Sequence, residues 1–370
     1  MNETFINISK IIERDSKSTT YKFALLRGTI DIIQENSPYI EIKKNVVEIP
    51  MGLLIEKWML YYYPILGSTV LIPQINGVNS KLAFHTKFLK IINYYNEVGG
   101  LSTFYNDIRI KGISKELNKE FYDLVKDLKN IIVKNPMQYI GNSFNKSYYS
   151  IYQYQNNSTL KNSETQNTNW LINSCGIFTI PIEYYNAFKL LGSFISGTDN
   201  ILFKWADFSV NASHEKINPE KVIAEILKNP ITDRDVLASK NLYKSILNEA
   251  GEIICVWSET KIKTCDVDHV IPFSIMKNND LWNLLPAKSS INNNKRDKIP
   301  SVDFIIKQKD IIIHYWEIIH KAQEKRFLEE IQITLLGNNK TLNWQNLAFN
   351  QLTNMSKYLI EKRGYEKWEL

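Results

Sequence analysis

The chain is short of cysteine: only Cys175, Cys255 and Cys265 occur in 370 residues. They are too few and too irregularly spaced for a disulfide framework or for paired CxxC zinc knuckles, and a reducing interior is the simplest home for them. The opening stretch "MNETFINISKIIERDSK" places charges where a signal peptide needs an apolar core. Secretion is therefore not expected, and the expected location is the cytoplasm. The longest uncharged run, Trp58 to Ser80, is interrupted by Pro64, Gly67, Pro73, Gln74 and Asn76. That leaves less than the roughly 20 apolar residues a membrane helix needs. We read it as a buried helix end followed by a loop, with no membrane partner. No internal repeat is visible, and residues 1–230 contain no helix-turn-helix, zinc finger or glycine-rich nucleotide loop.

What is present is material for packed cores. Hydrophobic residues make up 44% of the chain and aromatics 12%, and the length favours two or three modules. The net charge of +6 suits a polyanionic partner only weakly, because most cations are lysines in a composition dense in Ile and Asn.

Residues 20–230 have mainly helical periodicity, as in "TYKFALLRGTIDIIQEN", "KLAFHTKFLKIINYYNEV" and "SKELNKEFYDLVKDLKNIIVKNP", the last opening at a serine cap. The charges of residues 115–129 read as solvated helix faces. Residues 156–169 form a polar loop, and "CGIFTIPI" after it reads as a strand. "NPEKVIAEILKNP" and "TDRDVLASKNLYKSILNEAG" are further helices. After Gly251 the texture changes to short extended pieces, "EIICVW", "CDVDHVIPF" and "LWNLLPA", then a helix-like "KSSINNNKRDK" and an amphipathic tail from Val302.

The expected class is α+β. A mainly helical recognition or regulatory domain spans residues 1–230, a small mixed nuclease unit 231–310, and a helical tail packed on the rest 311–370. Protein partners or self-association through the helical domain are compatible with this division.

The segment "DVDHVIPFSIMKNNDLWNLLPAKSSINNNKRDKIPS" concentrates chemistry that phosphodiester hydrolysis requires. Such a reaction needs a base for the attacking water, a cation for the developing charge, and groups that hold the backbone. His269 titrates near neutrality and is the natural base. Asp268 and the side-chain carbonyl of Asn292 are hard oxygen donors suited to Mg²⁺, with Mn²⁺ as the alternative. Asn292, Lys295 and Arg296 are three and four apart and can share one helix face. Between residues 261 and 298 seven lysines and arginines accompany four aspartates, a local charge of +3. One conflict stands out. Neighbours on a regular strand point to opposite faces, so Asp268 and His269 need a bulge or a strand end between them.

These residues resemble the HNH, or ββα-metal, endonucleases. Asp268-His269, Asn283-Leu284 and Asn292-x-x-Lys295 match that pattern in order and spacing, and the "DKIPS" ending resembles that of the HNH domain in RNA-guided nucleases. The resemblance implies a catalytic set of His269, Asn283 and Lys295: His269 as base, Asn283 bracing the loop that orients it, and Lys295 steadying the scissile phosphate. It implies one divalent metal held by Asp268 and Asn292, and nucleic-acid contacts from Lys288, Arg296 and Lys298. No other cofactor is implied. Many relatives carry a zinc clamp of two CxxC pairs. Lys288 and Ile291 stand at two of those positions and Val256, Trp257 and Ser258 follow Cys255, so no structural zinc is expected.

Elsewhere "TYKFALLR", "IEKWMLYYYPIL", "IPQING" and "MQYIG" resemble stand-alone bacterial HNH proteins suspected of restriction or phage defence. The expected function is a metal-dependent endonuclease acting on DNA. The alternatives are an RNA-cutting nuclease or toxin and an inactive nucleic-acid-binding HNH protein. His85, His214, His314 and His320 lack such companions and read as structural or surface residues. Trp282 reads as an anchor beneath a strand.

Overall fold

A computed structural model describes residues 2–15, 17–77, 81–140, 150–163, 165–196, 201–231, 233–339 and 343–370. Ser80, Gly141, Glu164 and Thr232, which figured in the sequence reading, lie outside the described residues. The chain divides into two compact units, Met1–Pro230 and Ile231–Leu370.

The first unit contains α1 (Asn2–Arg14), α2 (Tyr21–Gln34), β1 (Glu41–Ile42), β2 (Val46–Pro50), α3 (Met51–Leu66), α4 (His85–Glu97), α5 (Gly100–Asn106), α6 (Asn118–Lys134), α7 (Pro136–Tyr139), β3 (Gln153–Gln155), α8 (Thr168–Ser174), β4 (Ile177–Pro181), α9 (Ile182–Ser196), α10 (Ile201–Ala212) and α11 (Pro219–Ile226). Its four strands form an antiparallel sheet in the order β1-β2-β4-β3.

Helix α6 shows why this half reads as helical: Phe121, Leu124, Val125, Leu128 and Ile132 are buried along one stripe while Lys126 is exposed. It starts differently from the serine-cap expectation. A 3-10 turn at Lys115–Leu117 precedes it, and the Ser114 hydroxyl accepts a hydrogen bond from Tyr94 at 3.3 Å instead of capping. Pro64 does not break α3, which runs through it and ends at Leu66. Burial of nearly the whole helix offsets the one backbone bond that proline removes. Where α3 meets α8, a Cβ at Gly52 would stand 2.2 Å from the Leu171 carbonyl carbon, so this approach requires glycine. The buried Gln74 side chain ties the start of α2 to α10, accepting from Thr20 at 2.9 Å and Trp205 at 2.7 Å and donating to Ser209 at 3.0 Å.

The second unit contains α12 (Leu237–Ala250), β5 (Ile253–Ile254), β6 (Lys261–Ile262), β7 (Asp266–His269), α13 (Phe273–Met276), β8 (Leu284–Ala287), α14 (Ser289–Lys295), β9 (Ile299–Pro300), α15 (Val302–Lys307), α16 (Lys309–Ala322), α17 (Glu324–Ile331), α18 (Trp344–Glu361) and β10 (Lys367–Trp368). Strands β5 and β6 pair antiparallel, as do β7 and β8, whereas β9 and β10 run parallel. Helix α12 stops at Gly251, whose φ of 74° is the left-handed end that glycine favours.

The β7-β8-α14 motif is embedded in an apolar core to which the tail contributes. Trp257 stacks on Phe304 at 5.7 Å and meets Trp368 edge-on at 5.4 Å, so the last strand closes over the motif. Trp282 is fully buried beneath it, its indole N–H donating to Asp280 at 3.0 Å. The protein is α+β, mainly helical with small sheets. No helix among the described residues is long and apolar enough to cross a membrane.

Candidate active site

Strand β7 pairs with β8 so that Asp268 opposes Leu285 and His269 opposes Leu284. Period-two alternation puts Asp266 and Asp268 on one face. The strand ends at His269, still paired to Leu284 with no bulge, and the two neighbours keep separate side-chain partners, Trp257 and Lys295 for Asp268 and Arg234 for His269. Asn283 makes this end. Its backbone carbonyl accepts from Val270 N at 2.8 Å, and its side chain accepts from Ile271 N at 2.7 Å and donates to Ile271 O at 2.9 Å. A fully buried asparagine thereby fixes the turn that follows the histidine.

Asp268 is buried, and its carboxylate is surrounded by donors. The Trp257 indole N–H reaches Oδ2 at 2.7 Å, while the Lys295 ammonium lies 3.1 Å from Oδ2 and 3.2 Å from Oδ1. Lys295 also donates to the His269 carbonyl at 2.6 Å. Burial pushes the Asp268 carboxyl up and the Lys295 ammonium down from their usual ranges, and each partner's charge opposes the other's shift. Lys295 was expected to reach a phosphate. It is fully buried instead, with its donors directed at Asp268 and the strand end.

His269 lies among fixed partners. Nδ1 accepts from Arg234 Nε at 3.1 Å, Nε2 faces Asn279 Oδ1 at 3.4 Å, and the ring meets Phe273 edge-on at 5.6 Å. Arginine has only donors, so Nδ1 carries the lone pair and Nε2 the proton. Burial first, then the Arg234 charge, pushes the His269 pKa down to about 3, against the hydrogen bonds to Asn279 and the Asn278 carbonyl. The ring is neutral near pH 7, and its Nδ1 lone pair is taken up by Arg234.

Helix α14 lays its inner face on β7. Asn292 Nδ2 lies 3.5 Å from Asp266 Oδ2, and the Asn292 side-chain oxygen has no hydrogen-bond partner among the described residues. Asn292 is half-buried, and its side-chain oxygen with the Asp266 and Asp268 carboxylates of β7 are hard donors of the kind a Mg²⁺-type cation takes, although no group of three or more His, Cys, Asp or Glu side chains among the described residues is placed to hold a metal ion. The shared face expected of Asn292, Lys295 and Arg296 does not form. The helix ends at Lys295, and Arg296 turns out at φ 52° to become exposed while Lys295 turns in. Lys288 is exposed at the helix N-terminus, and Lys298 is ion-paired to Glu366 at 2.6 Å. None of these three cations bonds to Asp268 or His269 among the described residues. Cys255 is buried and its sulfur accepts from Lys288 N at 3.2 Å.

Two family models match the chain. One, described as HNH endonuclease, covers residues 255–301. The other, described as Domain of unknown function (DUF8808), covers residues 1–226, more than half of the chain. The chain belongs to the DUF8808 family and is an HNH-family protein. No curated protein and no solved structure matches it.

Within the HNH unit several partners of the site escaped the motif. Trp257, which follows Cys255 where relatives have a zinc pair, holds Asp268 directly. Asp266 was within reach of sequence reasoning, because it stands two residues before Asp268 on the same strand. Arg234, Asn279, Arg326 and Glu330 carried no sequence signal.

The last two belong to α17, which supports the loop below His269. Glu330 accepts from Leu281 N at 2.6 Å and from Arg326 Nε at 2.7 Å, and Arg326 Nη2 donates to the Asn279 carbonyl at 3.3 Å. Burial and the neighbouring Asp280 charge push the Glu330 pKa from 4.5 up to about 7. A carboxyl raised in the folded state stabilises the fold while protonated, and that contribution is lost as pH rises from 4.5 to about 7. Relative to Glu330→Gln, the wild type should therefore lose on the order of 3 kcal/mol across this window. Thermal unfolding of both proteins at a series of pH values measures it. A constant difference between them would remove Glu330 as the titrating group.

Proposed function

We propose that the protein is a metal-dependent endonuclease hydrolysing DNA phosphodiester bonds in the cytoplasm. The supporting observation is the turn that Asn283 fixes after His269. It holds a neutral imidazole, with its proton on Nε2 and its lone pair on Nδ1, at the end of the strand that carries the buried Asp268 carboxylate and the Asp266 to which Asn292 bonds. Asp268 and Asn292 would hold one divalent cation, Mg²⁺ or Mn²⁺, with Asp266 adjoining. When bound, such an ion supplies Lewis-acid stabilisation of the charge that grows on the phosphate.

The chain's own residues do the rest. His269 Nδ1 takes a proton from water, which forms a new P–O bond as one ester P–O bond breaks, leaving a phosphomonoester and an alkoxide that takes a proton from solvent to become a hydroxyl. Asn283 is a positioning residue, holding the turn through Ile271 and so the ring. Trp257 and Lys295 position Asp268. Lys288 and Arg296 are exposed cations able to meet a nucleic-acid backbone. Recognition or control falls to the first unit, and a place in restriction or anti-phage defence rests on its likeness to stand-alone bacterial HNH proteins.

The test is incubation of the purified full chain and Mg²⁺ with plasmid, single-stranded DNA and RNA in parallel, with excess EDTA as control. DNA cleavage abolished by EDTA is expected. Cleavage of RNA alone would move the substrate, and retention without cleavage of any would leave a binding protein.

A further inference from the structure

Of the cations around Asp268 and His269, Lys295 is buried against Asp268, Lys298 is paired to Glu366, and Lys288 and Arg296 are exposed without bonding to either residue among the described residues. Arg234, outside the HNH match and 35 residues before His269, is the one that bonds the imidazole itself. Its approach is built rather than incidental. The Asn279 side chain grips the backbone on both sides of it, donating to Asp233 O at 3.0 Å and accepting from Asp235 N at 3.0 Å. The same Asn279 oxygen faces His269 Nε2, so one amide sets both the arginine and the tautomer of the ring it touches. Arg234 is exposed overall, and no carboxylate forms an ion pair with it among the described residues. Nε is its one hydrogen-bonding atom among them, which leaves both Nη groups of the fork open.

A neutral imidazole has a single lone pair. While Nδ1 accepts from Arg234 it cannot accept from water, so the contact seen here is incompatible with His269 acting as a base. Arg234 must let go first, and the partner best able to draw it away is a phosphodiester, which a guanidinium binds bidentately through charge-assisted bonds.

We propose that Arg234 is a substrate-operated latch: it covers the base in the free protein and moves onto the backbone phosphate of a bound nucleic acid, uncovering His269 Nδ1. This rests on the reading of His269 as base. It gives the site a reason not to activate water until a phosphate is in place, and it assigns a phosphate contact that the buried Lys295 cannot make.

The test uses the full chain in three forms: wild type, Arg234→Ala and Arg234→Lys. With the substrate that the wild type cuts, R234A should raise KM by about 10-fold or more, the loss of one charge-assisted contact. R234K, which keeps the charge, should stay within a few-fold of wild type. The second readout is the His269 Nδ1 resonance in protein labelled with ¹⁵N-histidine, assigned by its absence in His269→Gln. Adding an oligonucleotide in EDTA, where no cleavage occurs, should shift it in the wild type. In R234A it should already stand apart from the wild-type position and move little.

An unchanged KM in R234A, or an Nδ1 resonance identical in wild type and R234A without oligonucleotide, overturns the latch. Failure of the hydrolytic reading is separate: it shows as a wild type that cuts nothing with Mg²⁺, while the resonance experiment still decides what Arg234 does.

Discussion

His269→Ala is expected to cut the cleavage rate by about 100-fold or more while nucleic-acid affinity stays nearly intact. The expectation follows from the ring's surroundings. Nε2 faces Asn279 Oδ1, so the remaining nitrogen is a lone-pair acceptor, and no other imidazole bonds to Asp268 or His269 among the described residues. Removing the ring takes away the proton acceptor but none of the exposed cations that would meet a phosphate backbone. A gel shift in EDTA separates the two quantities. Binding lost together with cleavage would assign His269 to folding or docking, and undiminished cleavage would remove it from the mechanism.

The legibility of this site was uneven, for physical reasons. Asp268, His269, Asn283, Asn292 and Lys295 could be picked out because a strand, a turn and one short helix hold them at fixed spacing along the chain. Their orientation was less legible. Nothing in "NNNKRDK" says that a seven-residue helix stops at Lys295, since the residue that turns out, Arg296 at φ 52°, is not a glycine. Helical spacing therefore suggested a shared face that the backbone does not provide. The burial of Lys295 depends on Trp257, which is itself covered by Phe304 and Trp368 from the far end of the unit. Contacts of that range leave no local pattern. Arg234 is the extreme case: a single arginine with no periodicity or motif, placed by one asparagine in a loop far along the chain.

The first unit shows the same limit at the level of fold. Its helices were legible because stripes such as Phe121-Leu124-Val125-Leu128 repeat over several turns. Strand β2 spans only five residues, and its buried Val47 and Ile49 precede a long apolar helix without a break in composition. A strand so short becomes visible only once β4 pairs with it on one side and β1 on the other.

Lys295→Met is expected to destabilise the protein by about 3–5 kcal/mol, because it leaves the Asp268 carboxylate buried without its counter-charge. Only 1% of the Lys295 side chain and 3% of the Asp268 side chain are exposed, so water cannot take over the role of the ammonium. Among the described residues Trp257 alone would remain as a donor to that carboxylate, one neutral hydrogen bond at 2.7 Å against a full charge. Asp268→Asn combined with K295M should recover most of the loss, since neither partner then carries a charge into the core. Thermal unfolding of the two single variants and the double variant measures the coupling. Mg²⁺ adds a second arm: if Asp268 binds the cation, Mg²⁺ should stabilise K295M more than the wild type, because it replaces the missing positive charge, and it should leave D268N/K295M unmoved. Additive losses in the double variant, with no difference in response to Mg²⁺, would mean that Asp268 and Lys295 do not act as a charge pair and that Asp268 is no ligand.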